Sequence, residues 1–394
     1  MNILFIGHVP MIPTAGGIER MTVIISKELR TKGHFVAFLS TSSKCNTDCV
    51  SGFPQLYINA AGPDAGNKFM SMIKELDIDI IVNQFPDANT LALQKYIQGV
   101  VKSIAVIHSR PFPILGLERK AKLLTMPGTL KGHILKLTGI LTPGLYRIFI
   151  NRYYRSLYTR AAELSDKICL LSSKYTDRLL KHAPDIDSRK ITIANNPNTF
   201  PEIPDIKEWK DREKVVIWVG RLIEPQKNVV GFIDVWNKFH QNNPDWQAKI
   251  IGDGPARKAA EEYARKKQAS DIEFVGNIVN PEKYYSTARF LCMTSLYEGW
   301  PMVLPEAMAY GCIPCAFASF EAIEDIIDNG HSGLLSYSLD PADMADMMSS
   351  AATKTEDMGM MAHNATVKIA EFSPERIAGK WIMLFNELSS HHGS

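Results

Sequence analysis

The chain has 394 residues, a length for about two or three domains, and its 45% hydrophobic content is that of an ordinary buried core rather than a disulfide scaffold or a collagen-like fibre. Charged residues make up 22%, and the 25 glycines and 22 prolines are scattered, which excludes long disordered or low-complexity stretches. The 44 basic and 42 acidic side chains leave a formal charge of +2, so no global field points to nucleic acid as a partner.

The first residues, Asn2 to Gly7, lack a basic region followed by a long apolar stretch, so they predict a strand rather than a signal peptide, and a cytoplasmic chain. From Gly16 to Lys32 the residues Ile18, Met21, Ile25 and Leu29 recur at helical spacing, and Gly33 stops the run. Strands are predicted at Phe35 to Thr41, Ile78 to Val82, Ser103 to Ile107, Ile168 to Ser172 and Lys190 to Asn195, alternating with helices as in a parallel sheet. The stretch from Asn196 to Asp205 holds three prolines without periodicity and reads as an interdomain linker.

A second alternation follows, with strands at Val215 to Val219, Ala248 to Ile251, Ile272 to Val275, Phe290 to Thr294 and Ile313 to Ala316. The last helix, Glu375 to Leu388, carries Ile377, Trp381, Leu384 and Leu388 on one face and is predicted to dock back on the first domain. The expected domains are therefore 1–197 together with 374–394, and 198–373. Among the cysteines only Cys312 and Cys315 form a C-x-x-C pair; with no histidine or second pair at zinc spacing, they read as packed small residues in a reducing compartment. No apolar run reaches the ~18 residues of a spanning helix.

Three segments carry chemistry. Gly16 and Gly17 lie between the first strand and a helix, where backbone amides suit an anion; the alternative is a plain tight turn. The G-x-G-x-x-G pattern of a dinucleotide site is absent, and the second strand ends in Leu39-Ser40-Thr41 rather than in a ribose-binding acid. After the strand ending at Val219, Arg221 and Lys227 offer two cations to a diphosphate; the alternative is two solvated surface charges. Glu298 and Glu306 flank the amides of Met302, Val303 and Leu304 beside Pro301 and Pro305. Because carboxylates repel phosphate, the two acids suit the neutral hydroxyls of a sugar or ribose.

Gly16-Gly17-Ile18-Glu19-Arg20, the Val219 to Lys227 loop, Gly252-Asp253-Gly254-Pro255, Phe274-Val275-Gly276 and the E-x7-E block running on to Ala307-Met308-Ala309-Tyr310-Gly311 occur in this order. In this order they resemble the retaining glycosyltransferases of the GT-B fold, family 4 (glycosyl transferases group 1), along nearly the whole chain. The resemblance implies an α/β protein of two Rossmann-like domains facing a central cleft. It also implies transfer of a hexose or N-acetylhexosamine, and a UDP-sugar as donor substrate rather than a cofactor.

Residue by residue, the resemblance gives Arg221 and Lys227 as the diphosphate clamp, Glu306 as the ribose-binding acid and Glu298 as the acid near the donor sugar. It gives Gly17 as the glycine near the phosphates, and Asn277 and Ile278 as the loop that meets the base. It places His108 near the reacting centre, although by itself a histidine at a strand end reads more often as structural than as catalytic. The Asp77-Ile78-Asp79 sequence has the form of a metal motif but precedes a strand, and no metal is expected.

From His108 to Arg160 ten Lys or Arg residues stand against the single acid Glu118, interleaved with leucines and aromatics such as Leu145, Ile148, Phe149 and Tyr153. That pattern suits a helix lying on an anionic membrane, with a solvated helical pair as the alternative. A lipid-linked or cell-surface glycan acceptor, and a peripheral position on the inner face of the cytoplasmic membrane, are expected. Three competing functions are a GT-B transferase with a soluble acceptor, a sugar-nucleotide epimerase, and a non-catalytic nucleotide-sugar binding subunit.

Overall fold

The computed structural model describes residues 1–45, 49–112, 143–200 and 206–390. They fall into two units, the first holding residues up to Phe112, Gly144–Thr199 and Phe372 onward, and the second holding Phe200–Glu371.

In the first unit β1 (Asn2–Gly7) is followed by α1 (Gly17–Thr31), whose Met21, Ile25 and Leu29 are buried at one-turn spacing. Gly33 takes a left-handed φ of 83°, and the His34 amide donates to Leu29 O, which closes the helix end without strain. Next come β2 (Phe35–Ser40), β3 (Cys49–Val50), β4 (Phe53–Tyr57), α2 (Ala65–Glu75), β5 (Ile80–Asn83), α3 (Ala88–Ile97) and β6 (Lys102–Ile107). After them run α4 (Pro143–Leu164), β7 (Lys167–Leu170), α5 (Thr176–His182) and β8 (Ile191–Ile193).

The sheet order is β3-β4-β2-β1-β5-β6-β7-β8, parallel except for the β3–β4 hairpin. Chain order therefore reverses beside β1, which makes the carboxyl ends of β1 and β5 a switch point. One face of this sheet packs Leu4, Ile6, Ala37, Leu39 and Ile81 against Phe69 and Ile97.

The second unit repeats the plan with β9 (Glu213–Val219), α6 (Val229–Asn242), β10 (Gln247–Ile251), α7 (Arg257–Lys266), β11 (Ile272–Gly276) and α8 (Glu282–Thr287). It continues with β12 (Ala288–Met293), α9 (Val303–Ala309), β13 (Ile313–Phe317), α10 (Ile323–Ile326), β14 (Leu334–Ser336), α11 (Pro341–Ala352) and α12 (Thr355–Ile369). Its order, β11-β10-β9-β12-β13-β14, is fully parallel and reverses beside β9. Trp209, Trp218, Trp236, Phe239, Trp246 and Phe290 form an aromatic core there. Cys292 and Cys315, paired across β12 and β13, are packed in the same core. Burial pushes the Cys312 thiol up to about 12 and raises Cys292 and Cys315 as well, so these are inert packing residues.

The last helix, α13 (Pro374–Ser390), returns to the first unit and packs on α1. Ile377, Trp381, Phe385 and Leu388 are buried, Phe385 alone being worth about 2 kcal/mol. Lys32–Glu375 and Lys167–Glu387 ion pairs and a Lys380–Asn195 hydrogen bond tie down its ends and middle. The stretch expected to be a linker is not solvated at its start. Asn196 and Asn198 are buried, and the Asn198 amide donates to Phe372 O, tying the outgoing segment to the returning one. Residues 201–205 of that stretch lie outside the described residues. Among the described residues no helix is long and apolar enough to cross a membrane.

Candidate active site

In the first unit the loop after β1 delivers Gly16, in a fully extended conformation, to the start of α1 at Gly17. The half-buried Glu19 lies over this turn, since a Cβ added at Gly16 would sit 2.5 Å from its Oε2. The amides assigned to a phosphate thus already have a carboxylate beside them, which complements the helix dipole and has to swing away before an anion binds.

His108 follows β6 and is half-buried. Its Nε2 is 2.5 Å from Gln84 Oε1, and an amide oxygen only accepts, so Nε2 carries the hydrogen in this arrangement. Nδ1 is then a lone-pair acceptor, buried and without a hydrogen-bond partner among the described residues. Burial pushes the ring's pKa down to about 3, so the imidazole is neutral at physiological pH. Gln84, itself buried directly after β5, is not signalled by the sequence, because periodicity does not report a pairing between the ends of neighbouring strands β5 and β6.

A second histidine stands on the same edge. His8 follows β1, and its Nδ1 is 3.4 Å from Asp87 Oδ2, while its ring lies 5.6 Å from that of Phe85. The other Asp87 oxygen accepts from the amides of Asn89 and Thr90 and caps α3, with Thr90 returning the bond to complete a capping box.

In the second unit Gly220, Gly252 and Gly254 let the loops after β9 and β10 touch backbone to backbone. A Cβ on Gly252 would run into the Gly220 carbonyl, and one on Gly254 into the Leu222 carbonyl. This contact fixes where Arg221 leaves the sheet, exposed on the loop. Lys227 is half-buried two residues before α6, and the N-cap Asn228 locks the loop to the end of β12: its Nδ2 donates to Thr294 O, and Thr294 Oγ1 donates back to Asn228 O.

Across that junction Lys227 Nζ lies 2.7 Å from Glu298 Oε1, with Glu298 only 9% exposed. Glu306, in the first turn of α9 and 2% exposed, accepts from the Tyr285 hydroxyl at 2.9 Å. Met302 and Val303 are half-buried and Leu304 buried at the start of α9. That helix has only seven residues, so its individual amides rather than a long macrodipole are what it offers. Asn277, exposed, and Ile278, half-buried, follow β11 at the far edge of the sheet's carboxyl side.

The structure thus brings Lys227 and Glu298 into contact, where the sequence alone assigned one to phosphate and the other to a sugar. Tyr285, the partner of Glu306, was also missed; its position on the short α8 ahead of β12 gave no signal beyond an aromatic in a polar run. The Asp77–Asp79 pair sits at the amino end of β5, away from the carboxyl edge, and Asp79 accepts from the Asn2 amide at 2.7 Å while Asp77 takes a left-handed φ of 48°. It shapes a turn.

Of the basic segment, residues 113–142 lie outside the described residues. The rest places Leu145, Ile148, Phe149 and Tyr153 exposed along α4 at helical spacing, with Arg155 paired to Asp185.

Residues 15–197 match the family described as Glycosyltransferase Family 4, and residues 199–368 the one described as Glycosyl transferases group 1. The chain is 25% identical over 203 residues, 51% of its length, to a Campylobacter jejuni N-acetyl-D-galactosaminyltransferase whose name places its acceptor glycan on PP-undecaprenol; the match spans 56% of that enzyme, little more than half. To a Haemophilus influenzae protein named only as an uncharacterized glycosyltransferase it is 22% identical over 381 residues, 94% of this chain and 96% of that one. Among solved structures, HepE of Anabaena in complex with UDP superposes with a TM-score of 0.71 at 15% identity, over 99% of this chain and 100% of that one.

Proposed function

The chain belongs to the family 4, group 1 glycosyltransferases and has their GT-B fold, and from that premise we propose that it is a retaining hexosyltransferase. Its proposed donor is a UDP-hexose or UDP-N-acetylhexosamine and its acceptor a lipid-linked or cell-surface glycan. The observation that carries this reading is that Arg221 and Lys227 follow β9 while Glu298 and Glu306, on the loop and helix after β12, follow its neighbour at the switch point of the second sheet, with Lys227 and Glu298 in contact. Two cations beside two hydroxyl-seeking carboxylates match a sugar diphosphate followed by a ribose. The UDP bound in the HepE structure and the PP-undecaprenol in the Campylobacter relative's name support the donor and the acceptor class.

In this mechanism the bond between the anomeric carbon and the UDP oxygen breaks, and the acceptor hydroxyl oxygen bonds to the same face of that carbon. Its proton passes to the departing diphosphate oxygen. Arg221 and Lys227 stabilise the charge that develops on the diphosphate, the largest electrostatic demand of the step. Lys227 shares its ammonium between Glu298 and phosphate, which couples diphosphate binding to the placement of the acid near the donor sugar. Glu306, oriented by Tyr285, accepts from ribose hydroxyls. Neutral His108, with its Nε2–H donated to Gln84, is assigned a place near the donor sugar, and its buried Nδ1 accepts a sugar hydroxyl only once the ring turns outward. The cation pair takes the role a divalent metal has in other transferases, so turnover is expected to survive chelation.

The exposed apolar stripe of α4, with Arg147 and Arg152 among its residues, supports peripheral contact with an anionic membrane on its inner face. The test of the whole reading is incubation with UDP-glucose, UDP-galactose and their N-acetylamino counterparts, in chelator, with polyprenyl-diphosphate glycans in phosphatidylglycerol vesicles. UDP release matched by an alpha-linked product is the expected result. Release of UDP without product from every donor, or an epimerised donor, would refute it.

A further inference from the structure

We propose that Arg212 is a positioning residue of the donor site: it grips the ends of α8 and α9 in one fork and so sets the hydrogen bond between Tyr285 and Glu306. The proposal deepens the reading above and rests on the ribose role given there to Glu306.

Arg212 directly precedes β9 and is 3% exposed. A cation this deeply placed ordinarily faces a carboxylate, but this guanidinium is directed at main-chain oxygens. Its Nε donates to Lys207 O at 3.2 Å, Nη1 to Tyr285 O at 3.1 Å and Ala288 O at 2.8 Å, and Nη2 to Tyr310 O. Tyr285 lies in the last turn of α8 and Ala288 caps it, while Tyr310 caps α9. The last carbonyls of a helix have no partner within it, and a planar guanidinium with five N–H groups can serve two helix ends at once. Gly311 makes room for it at the end of α9: its φ is 66°, and a Cβ there would lie 3.1 Å from Arg212 Nη2.

Because α8 carries Tyr285 and α9 carries Glu306, the separation of the two ends held by Arg212 also sets the separation of the phenol from the carboxylate it bonds at 2.9 Å. The helices have six and seven residues, too few to hold a shape by themselves. The Tyr285 and Tyr310 rings stack with centroids 6.2 Å apart, but stacked faces slide and fix no register. The fork fixes it.

Arg212→Lys keeps the charge but gathers its donors at one point, which reaches one helix end and not the other. Arg212→Met removes the donors and leaves four carbonyls unpaired, so its melting temperature is expected to fall. Calorimetry with UDP and 2′-deoxy-UDP measures the ribose preference, a ratio that a smaller folded fraction leaves unchanged. That preference is expected to fall by about threefold or more in Arg212→Lys and further in Arg212→Met, and Arg212→Lys is expected to add little to Tyr285→Phe, since both act on one hydrogen bond. A wild-type preference kept in both variants would overturn the proposal, whatever the melting temperatures.

NMR of the full chain labelled at tyrosine Cζ, with the Tyr285 signal assigned by its loss in Tyr285→Phe, gives a readout that needs no nucleotide. The signal is expected to move in Arg212→Lys in the same direction as in Glu306→Gln, and an unmoved signal would overturn the proposal. Equal binding of UDP and 2′-deoxy-UDP by the wild type, or binding of neither, would instead overturn the ribose role of Glu306, with the Tyr285 signal still deciding whether Arg212 sets the pair.

Discussion

Lys227 and Glu298, contributed by loops 71 residues apart in sequence, meet at 2.7 Å with Glu298 nearly buried. An ion pair in this setting holds both loops in place and, on diphosphate binding, has to share its cation with a stronger anion. Lys227→Ala therefore removes a clamp and leaves Glu298 without its cation. Turnover is expected to fall by about tenfold or more, with weaker UDP binding. Glu298→Gln keeps the shape but frees the ammonium, so turnover is expected to fall while UDP affinity holds or rises. Weaker UDP binding in Glu298→Gln would contradict the sharing.

Tyr285 donates to Glu306 at 2.9 Å and fixes the acid assigned to ribose. Wild-type protein is expected to prefer UDP over 2′-deoxy-UDP. Glu306→Ala is expected to abolish that preference, and Tyr285→Phe to reduce it by a few fold, about the worth of one neutral hydrogen bond. A preference that survives in Glu306→Ala would move the ribose elsewhere.

Gly252 has a φ of 134° and no room for a Cβ against the Gly220 carbonyl. Gly252→Ala is expected to push the loop that carries Arg221 off the sheet, costing about 1–3 kcal/mol of stability and most of the UDP affinity. Thermal unfolding and calorimetry on the variant check both. An unchanged melting temperature would show that the two loops are not in contact.

His108 is held neutral, with a pKa of about 3 against 6.5 for a free ring. Its lowered folded-state value means that between about pH 6.5 and 3 the unfolded chain binds a proton that the folded chain refuses. Stability therefore falls as pH drops through this window and is independent of this group above it. Urea unfolding at pH 5 and pH 7.5 is expected to show a smaller acid loss in His108→Asn than in the wild type. An equal loss in both would show that the ring is not desolvated.

Much of the double α/β plan was legible in the sequence. The apolar runs of β1, β6, β9 and β12 and the glycine stop after α1 mark elements that local chemistry alone determines. The hairpin β3–β4 was not predicted, since β3 has two residues and Pro54 interrupts β4; Ser51 and Gly52, both with positive φ, were the signal available. β14, with three residues, was missed for the same reason of length. Strand ends drifted where the chain leaves the sheet: Ser172 and Asn195 lie beyond β7 and β8 because their side chains bond locally, Ser172 Oγ to the Lys174 amide and Asn195 Nδ2 to Leu171 O.

Of the site, the positions of Arg221, Lys227, Glu298 and His108 at strand ends or on the loops after them, and of Glu306 on the helix that follows, could be read. Their partners could not. Gln84, Tyr285 and the Lys227–Glu298 contact depend on which strands are neighbours, a property of sheet order that no local pattern encodes.

The most direct measurement is a calorimetric titration of wild-type and Lys227→Ala protein with UDP, and with GDP for comparison, in excess EDTA. The account predicts UDP binding on the order of micromolar in the wild type, weaker GDP binding, and a loss of about tenfold in the variant. No UDP binding without added metal, or equal affinity in wild type and Lys227→Ala, would contradict it.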